Sequence, residues 1–121
     1  MAINEEHRQL EVAAQLAESA LTLAHSTRDV PVPADSYDLL GELVATVDSL
    51  EQVCRQLGSW HVNVVDGVHY QGEDERGDGA TGTITAAAEL QRAAAALDAA
   101  STALRTAHDA NGVVRWFQVA Q

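Results

Sequence analysis

Leucines recur every seven residues in the last third of the chain, and this spacing limits the possible folds more than any other feature. They are Leu90, Leu97 and Leu104, with alanines at the core positions between them. A seven-residue repeat returns to one face of an α-helix, whereas a β-strand alternates its faces every second residue. The pattern predicts a helix from about Thr83 to Ala110 that packs lengthwise on a neighbour, with Asn111-Gly112 as a left-handed stop.

Two further helices are predicted before this one. The first runs from about Glu5 to Thr27, with Asn4 as its N-cap. It ends before Pro31-Val32-Pro33, because two prolines so close together do not fit a continuous helix. The second begins at Asp35 or Ser36, and its apolar residues are spaced alternately by three and four. These apolar residues are Leu40, Leu43, Val47, Leu50, Cys54 and Leu57.

Together the helices predict an all-α protein folded as an antiparallel three-helix bundle, with residues 1–121 in a single domain. Residues 60–70 leave two alternatives open. β-Branched residues flank Asp66-Gly67, which is the pattern of a small β-hairpin; otherwise the second helix continues to about Val65. The tail from Val113 to Val119 is also rich in strand-forming residues. Residues 71–82 are acidic and rich in glycine, which predicts an exposed loop.

The chain has a net charge of −11 and contains no lysine. Binding to nucleic acid or to an anionic membrane requires a basic surface, so neither is expected. Cys54 is the single cysteine, which excludes an internal disulfide and favours a reducing compartment. The start of the chain lacks the features of a signal peptide, and no apolar run reaches the roughly 18 to 20 residues that span a bilayer. We therefore expect a cytoplasmic protein.

No motif in the sequence matches a catalytic or metal-binding pattern. The loop that begins at Asp74 resembles part of a calcium-binding EF-hand loop, but its twelfth position falls on Thr85 instead of a glutamate. Cys54 lies within the apolar seam of the second helix, where a structural thiol is expected. The five histidines lack the spacing of metal ligands; they are His7, His25, His61, His69 and His108. We expect no enzymatic activity, no cofactor and no resident metal.

The aromatic residues are concentrated outside the helical seams. One alternative is that they close one end of the bundle. The other is that they form an interface together with the leucine stripe, because tryptophan and tyrosine are enriched at interface hot spots. The sequence favours a non-enzymatic module that self-associates, plausibly as a homodimer, or docks a partner protein. The alternatives are an acidic inhibitor that mimics nucleic acid and a helical bundle that binds a small ligand. The candidate interface residues are Trp60, Tyr70, Leu90, Leu97, Leu104, Trp116 and Phe117.

The stretch Tyr37-Asp38-Leu39-Leu40-Gly41-Glu42-Leu43, followed by an acidic loop at 73–78 and an alanine-rich helix, resembles a class of small alanine-rich helical proteins of actinobacteria. Leu50, Val53 and Leu57 belong to the same pattern. The resemblance covers about residues 37–107. It implies a helical fold and the type of host, and it implies no activity.

Overall fold

The computed structural model describes residues 6–74 and 77–117, and most of these residues are helical. The prediction of an all-α chain with three helices is confirmed. The elements in chain order are a 3-10 turn at Glu6–Arg8, α1 at Gln9–Ser26, α2 at Asp35–Asn63, β1 at Glu73–Asp74, β2 at Gly77–Asp78, and α3 at Gly79–Asn111. The two short strands pair antiparallel directly before α3.

The first of two compact units contains α1, the connector up to Asp35 and the described chain end from Trp116. No residue of α1 is buried, and Leu10 is 88% exposed. The helix ends at Ser26, because prolines follow shortly after; the Thr27 N–H still donates to the Leu23 carbonyl at 2.9 Å. This end agrees with the sequence prediction. Asn4, the predicted N-cap, lies outside the described residues.

The second unit, residues 36–115, contains α2 and α3 as antiparallel neighbours. At one end, Nδ2 of Asn111 donates to Oγ of Ser36 at 2.9 Å. In the middle, Oγ of Ser101 donates to Oδ1 of Asp48 at 2.6 Å. At the other end, Gly58 lies against Gln91. The start of α2 therefore lies beside the end of α3, and the two helices run antiparallel.

Small residues set the distance between α2 and α3. Ala87, Ala94 and Ser101 are the buried residues of α3, and they are spaced by seven, with the half-buried leucines 90, 97 and 104 between them. Short side chains at the contact let two helices approach closely. The heptad seam predicted for α3 is thereby confirmed.

The predicted seam of α2 is confirmed from Leu40 to Cys54, where each predicted residue is half-buried. It is wrong at its last position, because Leu57 is exposed and Gly58 is buried in its place. The cause is the helical period: a seam spaced at 3.5 residues drifts around a helix of 3.6 residues per turn, so the contact moves forward by one residue.

The β-hairpin considered for residues 60–70 does not form, and α2 instead continues through Trp60 to Asn63. A tight turn follows, in which the Val65 carbonyl accepts from the N–H groups of Val68 and His69. Within this turn Gly67 has a φ of +83°, a conformation that glycine adopts without strain. The alternative prediction, a second helix ending near Val65, is correct to within two residues. The small strand pair lies later, at Glu73–Asp74 and Gly77–Asp78.

Both ends of α3 differ from the prediction. The helix begins at Gly79 and not at Thr83, because the Asp78 side chain accepts a hydrogen bond from the Ala80 N–H and caps it. It ends at Asn111, but Gly112 is right-handed, with a φ of −62°, so the predicted left-handed stop is wrong. The Gly112 N–H instead donates to the His108 carbonyl at 3.0 Å. Residues 114–117 form no strand, and residues 118–119 of the predicted segment lie outside the described chain.

Candidate protein interface on the α2–α3 pair

One side of the α2–α3 pair carries apolar side chains that do not point into the seam. Successive residues of an α-helix are rotated by about 100° around its axis, so the residue directly before a seam position points about 100° away from the seam. The rotation has the same direction on both helices. Because the helices are antiparallel, this rotation brings the residues of both helices to the same side. They include Val53, Leu57 and Trp60 of α2 and Ala86, Ala93, Ala100 and Ala107 of α3. Towards the start of α2 the same side carries Leu39 and the exposed polar residues Glu42, Thr46 and Ser49. We call this side, together with Leu90, Leu97 and Leu104 along its inner edge, the apolar face.

Contacts on the opposite side of the pair agree with this geometry. Asp48 and Arg105 each directly follow a seam residue, so the same rule places both on the other side. There Nη2 of Arg105 donates to Oδ2 of Asp48 at 2.5 Å, while the second oxygen of Asp48 accepts from Ser101. The side opposite the apolar face is therefore polar and is held by hydrogen bonds between the helices.

The apolar face is accessible to solvent. Val53 is 46% exposed, Leu57 is 44% exposed and Trp60 is 54% exposed. The alanines at 100 and 107 are also exposed. On α3 none of the residues that define the face is charged, and at its edge Glu89 is paired with Arg92 at 2.7 Å. On α2 the exposed apolar part of the face is confined to residues 53–60, and Glu42 is a charged residue nearer the start of the helix. A contiguous group of exposed apolar side chains such as Val53, Leu57 and Trp60 marks a candidate protein interface.

Four of the seven interface residues predicted from sequence lie on the apolar face: Trp60, Leu90, Leu97 and Leu104. Tyr70 lies in the loop before α3 and is half-buried. Trp116 and Phe117 belong to the unit that contains α1, and Phe117 is 86% exposed. The aromatic residues thus do not all belong to one feature of the fold.

Trp60 also contacts the histidines near the loop. Its ring meets His61 edge-on with centroids 4.9 Å apart and His69 edge-on at 6.3 Å. Nδ1 of His61 lies 2.7 Å from the Leu57 carbonyl, so Nδ1 carries a proton and donates it. Nδ1 of His69 accepts from the Val65 N–H at 2.9 Å and is therefore unprotonated. These bonds orient both rings.

A shallow open depression of about 610 Å³ lies beside His61, between the end of α2 and the start of α3. Polar groups of Tyr70, Asp78 and Thr83 also line it. The Thr81 hydroxyl and the Ala80 N–H both donate to Asp78, and these hydrogen bonds lower the pKa of its carboxyl. The Asp78 carboxylate is therefore already engaged as the cap of α3.

The remaining candidate groups are the single cysteine and the histidines outside the loop. Across residues 6–74 and 77–117, no three histidine, cysteine or acidic side chains are grouped so that they could hold a metal ion. Cys54 is a free, half-buried thiol in the seam. His25 contacts Arg28 through Nδ1 at 3.0 Å, and the ring of His108 stacks on Tyr37 with centroids 4.0 Å apart.

Arginines compensate several of the acidic side chains. Arg8 pairs with Glu11 at 3.0 Å and lowers the pKa of that carboxyl. Arg55 pairs with Glu51 at 2.8 Å, one turn away on α2. With the pairs of Arg92 and Arg105, each helix carries at least one such contact. The negative charge is therefore dispersed along the helices and partly neutralised.

Val53, Leu57 and the alanines before the seam positions were not predicted as interface residues. The signal was present, because a helix whose only apolar contact is one seam needs no apolar residue directly before each seam position. Here the repeat at 86, 93, 100 and 107 is alanine throughout, and it runs beside the leucine repeat. A second stripe of this kind indicates a helix with more than one neighbour.

No helix in the described part of the chain is long and apolar enough to cross a membrane. The chain was compared with known protein families, with curated proteins and with solved structures. None of the three comparisons gave a match.

Proposed function

We propose that the protein is a non-enzymatic helical interaction module that binds another protein chain through the apolar face. The exposure of Val53, Leu57 and Trp60 on one side of the α2–α3 pair carries this proposal. Covering such side chains removes apolar surface from water, and each Å² contributes roughly 25 cal/mol. The uncharged centre of the face and its tryptophan match the composition of protein interfaces.

The partner is either a second copy of the chain or a different protein with an apolar helix. A helix suits this face best, because alanines on α3 allow close approach while leucines offer ridges that fit between its side chains. We expect the protein to act in the cytoplasm, since its one cysteine is a free thiol. Direct binding to nucleic acid is not expected for a chain with a net charge of −11.

Site-specific photo-crosslinking in the host cell tests the proposal. A photoreactive amino acid is placed at Ala100 on the apolar face, or at Ala95, an exposed alanine on the same helix that directly follows a seam position. We expect a protein adduct from position 100 and little or none from position 95. Equal crosslinking at the two positions, or no adduct at position 100, would contradict the proposal.

A small-ligand binding protein is the second candidate function, and the depression beside His61 is the observation that favours it. Its polar lining offers an imidazole, a phenol and a threonine hydroxyl. It ranks below the interaction module because the depression is shallow and open, whereas ligand sites enclose most of their ligand. Screening a fragment library by NMR against the wild type and His61→Ala would separate the two functions.

The third alternative, an acidic mimic of nucleic acid, has less support. Such a mimic presents unpaired carboxylates in a row, whereas Asp48, Glu51 and Glu89 are each paired with an arginine. The observation that favours this alternative is the net charge of −11.

A further inference from the structure

We infer that the chain which covers the apolar face is a second copy of this protein, with α3 of one copy lying antiparallel on α3 of the other around a two-fold axis. The inference rests on the proposed function and deepens it by naming the partner. Three observations on α2 and α3 support it: the pattern of large and small residues, the charge, and the length of the face.

The large and small residues of α3 complement themselves when the helix is reversed. Along the apolar face, alanine and leucine alternate in steps of four and three: Ala86, Leu90, Ala93, Leu97, Ala100, Leu104 and Ala107. An antiparallel copy can be aligned so that each leucine faces an alanine. Leu97 then faces the partner's Ala100, Leu90 faces the partner's Ala107, and Leu104 faces the partner's Ala93.

This alignment meets the condition for a two-fold interface, in which each contact occurs twice with the roles exchanged. The axis passes between Leu97 and Ala100. Every leucine fills the space above an alanine, which is how facing helices interdigitate at close distance. A partner of unrelated sequence would not require α3 to be complementary to itself.

The charge distribution permits two acidic copies to meet on this face and on few others. Each copy has a net charge of −11, so unpaired carboxylates brought together would repel each other. The α3 residues of the apolar face are uncharged, and Glu89 at its edge is paired with Arg92. On α2 the residues that flank the contact are Val53, Leu57 and Trp60, while Glu42 lies nearer the start of that helix. The Asp48 and Glu51 carboxylates are on or near the polar side and do not enter the contact.

The face is also long enough for a stable dimer. Residues 86–107 span about 30 Å of helix, and two adjacent helices of ~10 Å width give a side of about 600 Å² in each copy when the polar residues of α2 on this side are included. The dimer would then bury about 1,200 Å² in total, above the ~1,000 Å² expected of a specific interface. Val53, Leu57 and Trp60 of each α2 would flank α3 of the other copy.

Sedimentation of the purified full-length chain tests the inference. We expect the wild type to sediment as a dimer and Ala100→Arg to be a monomer, with association weakened at least about tenfold by an unpaired charge at the contact. Ala95→Arg is the matched control, because it adds the same charge to the same helix outside the face, and it should remain a dimer. Circular dichroism confirms that both variants keep their helices.

A thiol-labelling measurement separates failure of this inference from failure of the proposed function. Cysteine is introduced at position 100 or 95 in a Cys54→Ala background, and its rate of alkylation is compared. In the dimer, we expect position 100 to be protected relative to position 95 and to lose that protection on dilution.

Three results would overturn the inference. A wild-type monomer whose position 100 reacts as fast as position 95 leaves the face open, so the partner is a different protein and the proposed function stands. A wild-type monomer with position 100 protected means that the chain covers its own face, and both proposals fall. A dimer that Ala100→Arg does not weaken uses another surface.

Discussion

At the scale of single residues, the contact between Tyr70 and Gly79 joins the loop to the start of α3. A Cβ atom at position 79 would lie 2.8 Å from Cδ2 of Tyr70 and 3.0 Å from the Gln71 carbonyl oxygen. The Gly79 N–H also donates to the Gly72 carbonyl, so the backbone at position 79 cannot move away freely. Only glycine fits this position.

We predict that Gly79→Ala lowers the free energy of unfolding by about 1–3 kcal/mol, because the methyl group overpacks a contact that includes backbone. Gly82→Ala is the control in the first turns of the same helix, where nothing lies within 4 Å of the added Cβ. That variant should gain about 0.5–1 kcal/mol from helix propensity. Urea unfolding followed by circular dichroism measures both; equal effects would refute the steric argument.

Asp78 makes the start of α3 sensitive to acid. Hydrogen bonds from Thr81 and Ala80 lower the pKa of its carboxyl below the ordinary aspartate value of about 3.9. The folded state therefore favours the carboxylate. Its contribution to stability is fully present above that ordinary value and is lost as the pH falls through the lowered pKa of the folded protein.

We predict that Asp78→Asn flattens the acid limb of the stability curve, because asparagine keeps an acceptor for the Ala80 N–H but does not titrate. NMR titration of the wild-type Asp78 carboxyl should give a pKa below the ordinary value. Asp98→Asn, an exposed substitution in the middle of α3, should leave the acid limb largely unchanged. An Asp78 pKa at or above the ordinary value would contradict the assigned cap.

At the scale of elements, the α2–α3 contact depends on residues with very small side chains or none. Ala94 has no exposed surface, and Gly58 on α2 leaves room for Gln91 and the backbone at Ala87. Because the helices approach so closely, the position that follows a buried alanine differs from it completely in environment: Ala95 is exposed.

We predict that Ala94→Leu destabilises the protein by about 1–3 kcal/mol, because the larger side chain forces the helices apart. Ala95→Leu adds the same atoms one residue later, and its effect should stay within about 0.5 kcal/mol. Thermal or urea unfolding distinguishes the two variants. If Ala94→Leu were as stable as Ala95→Leu, the seam would not lie where the structure has it.

The periodicity of the sequence predicted the helices correctly. The predictions were wrong for features that depend on contacts between helices, such as the last seam residue of α2. The leucine and alanine heptads identified α3 and its seam, since burial of one face leaves a direct imprint on residue spacing. The choice between Leu57 and Gly58 depends on how far the seam has drifted around α2 by its last turns, which the spacing of the apolar residues alone does not record. Trp60–Asn63 has strand-forming residues, but helix α2 persists there because it remains beside α3.

The residues of the proposed interface were predictable to the same extent. Leu90, Leu97, Leu104 and Trp60 were identified from their type and spacing, and all four belong to the apolar face. Tyr70 was grouped with them for its aromatic ring, but its environment is that of Gly79 in the loop. The type of a residue indicates which contacts its side chain can make. The surface on which that side chain lies is set by the packing of α2 on α3 and cannot be read from residue type.

At the scale of the whole molecule, charge and apolar surface act in opposite directions. The net charge of −11 keeps copies of the chain apart, while the apolar face is the surface on which we propose that they associate. Salt therefore acts mainly on the repulsion. It screens charges that lie outside the contact and leaves the burial of apolar side chains almost unaffected.

We predict that raising the salt concentration from about 20 mM to about 300 mM strengthens self-association, because the screening length falls from roughly 20 Å to below 8 Å. The melting temperature should rise with protein concentration at the higher salt, since a dimer gains stability by mass action. Ala100→Arg should lose that concentration dependence while Ala95→Arg keeps it. An interface built on ion pairs would weaken with salt instead, so a dissociation constant that increases between the two concentrations would rule out the apolar face as the contact.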